Sequence, residues 1–143
     1  MLAATNQRVV EILLVEDSDG DVRLFREALR DGQVQARLSV ADDGDVALAF
    51  LRREGIHAAA PRPDIVLLDL GLPRKDGRAV LREMRSDYTL SAIPVAILTA
   101  SQQHSAILRA EALPTHYFLA KPIETEPFLA LMATIVACGL LIL

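Results

Sequence analysis

The chain reads as an α/β protein, a doubly wound parallel sheet with helices on both faces, and three observations predict it. Five short runs rich in Val, Ile and Leu alternate with stretches of helical character. Such alternation marks parallel strands joined by right-handed crossovers. The central run, Ile65 to Leu70 (IVLLDL), is apolar almost without interruption, as a strand covered on both faces must be. The length of 143 residues suits one domain, enough to bury a core and too little for two.

The elements follow in order. Val10 to Val15 (VEILLV) is an apolar β-type run ending at Glu16-Asp17, and Asp19-Gly20-Asp21 offers capping chemistry before the helical VRLFREALR. Leu38 to Val40 lies in a second short strand. Asp43 to Arg53 (DGDVALAFLRR) then places Val46, Leu48, Ala49 and Leu51 near one helical face. Gly55 to Pro63 (GIHAAAPRP), small residues with two prolines, predicts a surface loop. After the central strand, the turn GLPRKDG leads into the helix RAVLREMRS, with Asp76-Gly77 as turn and cap. PVAILTA is a fourth strand, Gln102 to Leu113 a further helix, Tyr117 to Ala120 (YFLA) the fifth strand, and a last helix starts at Glu124. Phe25, Leu29, Phe50 and Phe128 read as core packing.

Composition narrows the function classes. Lys and Arg total 15 against 19 Asp and Glu, a formal charge of −4. The cations are scattered, so no nucleic-acid surface is expected. A hydrophobic share of 52% with only 4% aromatics predicts an aliphatic core rather than disorder. Cys138 is the single cysteine, which excludes an internal disulfide; it reads as a small apolar filler, and a cytoplasmic address is expected. The first ten residues lack the pattern of a secretory signal, and the short head is expected to fray. Phe128 to Leu143 carries no charge, yet it is shorter than the roughly 20 residues a spanning helix needs, so a buried helix is expected rather than a membrane anchor. His57, His104 and His116 have no metal-ligand spacing.

The chemistry concentrates at the strand ends. Glu16 and Asp17 end the first strand, Asp69 lies near the end of the third, Thr99 near the end of the fourth, and Lys121 just after the fifth. In an open parallel sheet these positions share one edge, where ligands bind. Three carboxylates crowded together repel one another, and a hard cation relieves that repulsion. Mg²⁺, held by one or two carboxylates plus a phosphate, fits such a set. Asp69 then suits a nucleophile toward a phosphoryl group, with Mg²⁺, the Lys121 ammonium and the Thr99 hydroxyl stabilising its oxygens.

The segments VEDSDGD, IVLLDLGLPRKDG, AILTAS and FLAKP resemble the signature segments of response-regulator receiver domains. The resemblance covers roughly residues 9 to 133, and the separations agree with it, 30 residues from Asp69 to Thr99 and 52 to Lys121. It implies a single receiver domain over 1–143 (core about 9–137) with the flavodoxin-like (βα)₅ fold, a five-stranded parallel sheet in the order 2-1-3-4-5. It also implies that Asp69 takes a phosphoryl group from a phosphohistidine on a sensor histidine kinase. The chain would then be a phosphoacceptor switch, catalysing only its own phosphorylation and dephosphorylation. By the same likeness Asp17 and Asp69 bind Mg²⁺ directly, Glu16 acts through water, the Gly71 carbonyl completes the metal set, Gly71 and Ser101 tune hydrolysis, and Lys121-Pro122 is cis. FLRREG, the Pro-containing loop before the third strand and LPRKDGR look most similar to single-domain regulators paired with bacterial phytochromes.

Some residues depart from the family pattern. Its switch couples Thr99 to an aromatic three positions before the lysine, here Phe118, which lacks the hydroxyl of the commoner tyrosine. Pro114-Thr115 replaces a turn that often holds glycine, and Gln102 to Ser105 is uncharged. The apolar tail predicts a homodimer built on the last helix with help from the fifth strand or the helix at 102–113. Two other functions share parts of this pattern. A haloacid-dehalogenase-type phosphatase also uses an aspartate, Mg²⁺, a hydroxyl and a lysine, but places its nucleophile on the first strand in an Asp-x-Asp motif. A flavin-binding module shares the architecture, but Glu16-Asp17-Ser18-Asp19 would repel a flavin phosphate.

Overall fold

The computed structural model describes residues 9–72, 74–99 and 117–142, with side chains described as far as residue 135. The head expected to fray, the helix expected at 102–113, His104, His116, Ser101 and Pro114-Thr115 lie outside the described residues, as does the side chain of Cys138. The elements are β1 Val10–Val15, α1 Asp19–Asp31, β2 Ala36–Ala41, α2 Gly44–Leu51, β3 Ile65–Asp69, α3 Gly77–Ser86, β4 Val95–Thr99, β5 Tyr117–Ala120 and α4 Thr125–Ile142. The five strands form one parallel sheet in the order β2-β1-β3-β4-β5, as expected.

Side-chain alternation along each strand sorts the core into two layers. Leu13 and Val15 of β1, Val66 and Leu68 of β3, and Val95 and Ile97 of β4 pack with Ala47, Leu48 and Leu51 of α2 and with Val80, Leu81 and Met84 of α3. Val10, Ile12 and Leu14, Ile65 and Leu67, and Ala96 and Leu98 point the other way, onto Phe25, Ala28 and Leu29 of α1 and Phe128, Leu131, Met132 and Ile135 of α4. Phe25 meets Phe128 edge to face, ring centres 5.1 Å apart, an arrangement favoured by the ring quadrupoles. All five residues of β3 are buried, which accounts for the apolar run from Ile65 to Leu68.

The helix starts are set by short polar side chains. Ser18 accepts the Asp21 N–H at 3.3 Å, Asp43 the Val46 N–H at 2.8 Å, and Asp76 the Ala79 N–H at 2.9 Å, each satisfying an amide that the helix leaves open. The α1 cap is therefore Ser18, one residue before the Asp19-Gly20-Asp21 run expected to supply it. In α2 the buried face is Ala47, Leu48 and Leu51, while Val46 and Ala49 are half-buried. The buried face is thus displaced by part of a turn from the expected one, toward the residues that pack on β1, β3 and α3. The loop at 55–63 holds a short 3₁₀ turn, Gly55–His57, and the His57 ring packs 5.6 Å from that of Phe50. Among the described residues no helix is long and apolar enough to cross a membrane.

Candidate functional site

The strand registers carry the site. Val15 pairs with Leu68, Asp69 with Leu98, and Thr99 with Ala120, so the residues at and just beyond these positions share the carboxyl edge. Glu16 extends β1 by one rung, its N–H donating to Ala41 O at 2.9 Å, and Lys121 extends β5 likewise by donating to Thr99 O at 2.9 Å. The Lys121-Pro122 peptide is cis, as expected.

At this edge the Lys121 ammonium lies 2.7 Å from Glu16 Oε1, 3.1 Å from Asp21 Oδ2 and 3.2 Å from Asp69 Oδ2. Asp69 Oδ1 accepts the Gly71 N–H at 3.1 Å, and Glu16 Oε2 accepts the Ser18 N–H at 3.2 Å. Glu16 is 1% exposed, Thr99 5% and Asp69 7%, whereas Asp17 and Gly71 are exposed. Phe118 is half-buried against the α2/α3 layer. The structure thus brings Glu16, Asp17, Asp69 and Lys121 together, with Thr99 buried at the end of the strand beside β3.

The electrostatics follow from burial. Loss of solvent pushes the Glu16 carboxyl up to about 7; the Lys121 contact opposes this and the neighbouring Asp69 reinforces it. For Lys121 burial works against the charged form, but Glu16, Asp21 and Asp69 outweigh it and hold the ammonium above the ordinary lysine range. The buried Glu16 Oε1 has the Lys121 ammonium as its ion-pair partner and, among the described residues, no further hydrogen-bond donor. At 2.7 Å the Coulombic attraction persists whatever the angle.

A divalent cation fits these residues. Glu16, Asp17 and Asp69 each offer a carboxylate oxygen within 4.8 Å of the others, all hard donors. Mg²⁺–oxygen distances of about 2.1 Å put adjacent ligands about 3 Å apart and opposite ones about 4.2 Å apart. That spacing accommodates a set in which one carboxylate acts through water, and the buried Glu16 oxygen has unused acceptor capacity.

Two residues of the site escaped sequence reading. Asp21, in the first turn of α1, was visible only as capping chemistry, and nothing local announces its contact with Lys121. Gly77 was visible only as a turn; a Cβ there would collide with the Asp69 carbonyl oxygen and stand 3.0 Å from Leu70 Cα. Its lack of a side chain is what seats α3 directly behind the Asp69 backbone.

Comparison with known proteins agrees with this geometry. A family model, the response regulator receiver domain, matches residues 12–133. Response regulator Rcp1 of Synechocystis sp. is 42% identical over 110 residues, covering 77% of this chain and 75% of Rcp1. The solved bacteriophytochrome response regulator RtBRR superposes with a TM-score of 0.82 at 37% identity, covering 90% of this chain and 78% of RtBRR. The phosphorylated cyanobacterial phytochrome response regulator RcpA gives 0.73 at 40% identity, over 90% and 89% of the two chains. The Mn²⁺-bound form of Rcp1 gives 0.73 at 37%, over 88% of each.

Proposed function

Since the chain belongs to the response-regulator receiver family, we propose that Asp69 is its phosphoacceptor, charged by a sensor histidine kinase in the presence of Mg²⁺. The observation that carries this reading is the Lys121 ammonium held against the Asp69 carboxylate, with Glu16 and Asp17 beside it, at the carboxyl edge of the sheet. The likeness to RcpA, RtBRR and Rcp1 supports a phytochrome-linked kinase as donor, and the Mn²⁺ bound to Rcp1 supports a divalent ion in the acidic pocket. A cytoplasmic setting follows from such a donor.

In the reaction a carboxylate oxygen of Asp69 attacks phosphorus, and the bond from phosphorus to the kinase imidazole nitrogen breaks with its electron pair leaving on nitrogen. Lys121 meets the charge on one phosphoryl oxygen and the Thr99 hydroxyl donates to another. The Gly71 N–H orients Asp69 through Oδ1. Glu16, Asp17, Asp69 and the Gly71 carbonyl would hold Mg²⁺, which supplies positive charge to the phosphoryl oxygens. A flavin module gains no support from this acidic edge, and the phosphatase reading conflicts with an Asp69 on β3 rather than on the first strand.

The test is incubation with acetyl phosphate and Mg²⁺, followed by intact mass. Wild type gains one phosphoryl group and Asp69→Asn gains none; equal adducts on both would remove Asp69 from the mechanism. Movement of Phe118 as Thr99 is drawn toward the phosphoryl group is the switch this reading carries. A homodimer through α4 with β5 or the segment at 102–113 is its assembly, supported by the uncharged run from Phe128 to Leu143. Light scattering at micromolar concentration checks it, and a monomeric mass would overturn it.

A further inference from the structure

We propose that Asp21 is a positioning residue that competes with the incoming phosphoryl group for the Lys121 ammonium, and so restrains phosphorylation of Asp69. The inference rests on the phosphoacceptor reading and adds to it a residue and a direction.

A lysine ammonium has three N–H donors and no more. Here three carboxylates surround it, Glu16 at 2.7 Å, Asp21 at 3.1 Å and Asp69 at 3.2 Å, so the positions around its three donors are already held by carboxylate oxygens before any phosphoryl group arrives. A phosphoryl oxygen that takes one of them must displace a carboxylate. Glu16 is the costliest to release, because its side chain is 1% exposed and no water replaces the lost partner. Asp69 is joined to the phosphoryl group and stays in place.

Asp21 differs from both. Its side chain is 28% exposed, so water solvates it once the ammonium turns away. It stands in the first turn of α1, where the helix dipole favours a carboxylate without help from lysine. Asp21 is therefore the partner given up, and the free energy of its contact with Lys121 is part of the barrier to charging Asp69. In the step itself an Asp69 oxygen bonds to phosphorus of acetyl phosphate, the phosphorus–oxygen bond to the acetyl group breaks, and acetate leaves with the electron pair.

Initial rates of acetyl phosphate adduct formation, read by intact mass at saturating Mg²⁺, test this on wild type, Asp21→Asn, Asp21→Ser, Asp21→Glu and Asp19→Asn. Asp19 is a charge-matched control: it is an exposed acid in the same turn and stands outside the set of carboxylates paired with Lys121. Asp21→Asn and Asp21→Ser are expected to raise the rate at saturating acetyl phosphate about two- to fivefold, the size of a partly exposed ion pair. Asp21→Glu should return it toward wild type and Asp19→Asn should leave it there. Equal rates across all five proteins, slower Asn and Ser variants, or an Asp19→Asn rate raised as much as that of Asp21→Asn would overturn the proposal while leaving Asp69 as acceptor. Absence of an adduct on every protein, wild type included, would overturn both readings.

Discussion

Lys121 and Lys75 each stand among carboxylates, and each is held above the ordinary lysine range, yet the two clusters have different consequences for the molecule. Lys75, in the loop before α3, pairs with Glu83 and lies 3.8 Å from Asp45, whose side chains are 35% and 57% exposed. The Glu83 contact is the main cause of its shift. Lys121 faces Glu16 and Asp69, with side chains 1% and 10% exposed. Around Lys75 water and salt replace any partner that leaves. Around Lys121 they do not, so removing one charge strands the others in a poorly solvated site. The same residue types thus make a replaceable surface contact in one place and an interdependent set in the other.

Removing the buried ammonium should have the largest effect. Lys121→Met leaves Glu16 and Asp69 facing each other, and the metal-free protein at pH 8 is expected to lose about 3 to 5 kcal/mol in urea denaturation, part of it regained with Mg²⁺. A loss no greater than that for Lys75→Met would erase the contrast.

The second effect concerns pH. The Glu16 carboxyl is raised in the folded protein from 4.5 to about 7, so between these values the folded state binds more protons than the unfolded one. Stability is then fully present below pH 4.5, falls as pH rises to about 7 and levels off above. The change is on the order of 3 kcal/mol for a shift of this size. Glu16→Gln should flatten that slope in metal-free protein, and excess Mg²⁺ should flatten it in wild type, since a bound cation favours the carboxylate form. A slope unchanged by Glu16→Gln would assign the pH dependence elsewhere. The smallest effect is at the surface, where Lys75→Met should leave the denaturation midpoint unchanged at physiological salt.

The difference between the clusters also marks what sequence made legible. The near-continuous apolarity of β3 announced a doubly covered strand, and the strand-end rule collected Glu16, Asp17, Asp69, Thr99 and Lys121 onto one edge. Both inferences use periodicity and chain order, which are local. Asp21 was out of reach because its role depends on α1 and the end of β5 meeting across the edge, with Asp21 and Lys121 100 positions apart in the chain. The same holds for Gly77, whose missing side chain matters only because Asp69 lies behind it. The face of α2 was displaced because its packing partners on β1, β3 and α3 come from elsewhere in the chain.

One consequence follows from β3 being buried along its whole length and flanked by β1 and β4. Its amides should exchange with deuterium only when the entire domain opens, which makes the strand bearing Asp69 the slowest clock in the protein. A signal that starts there has a backbone that does not yield, so displacement is delegated to the side chains and loops beyond the strand end.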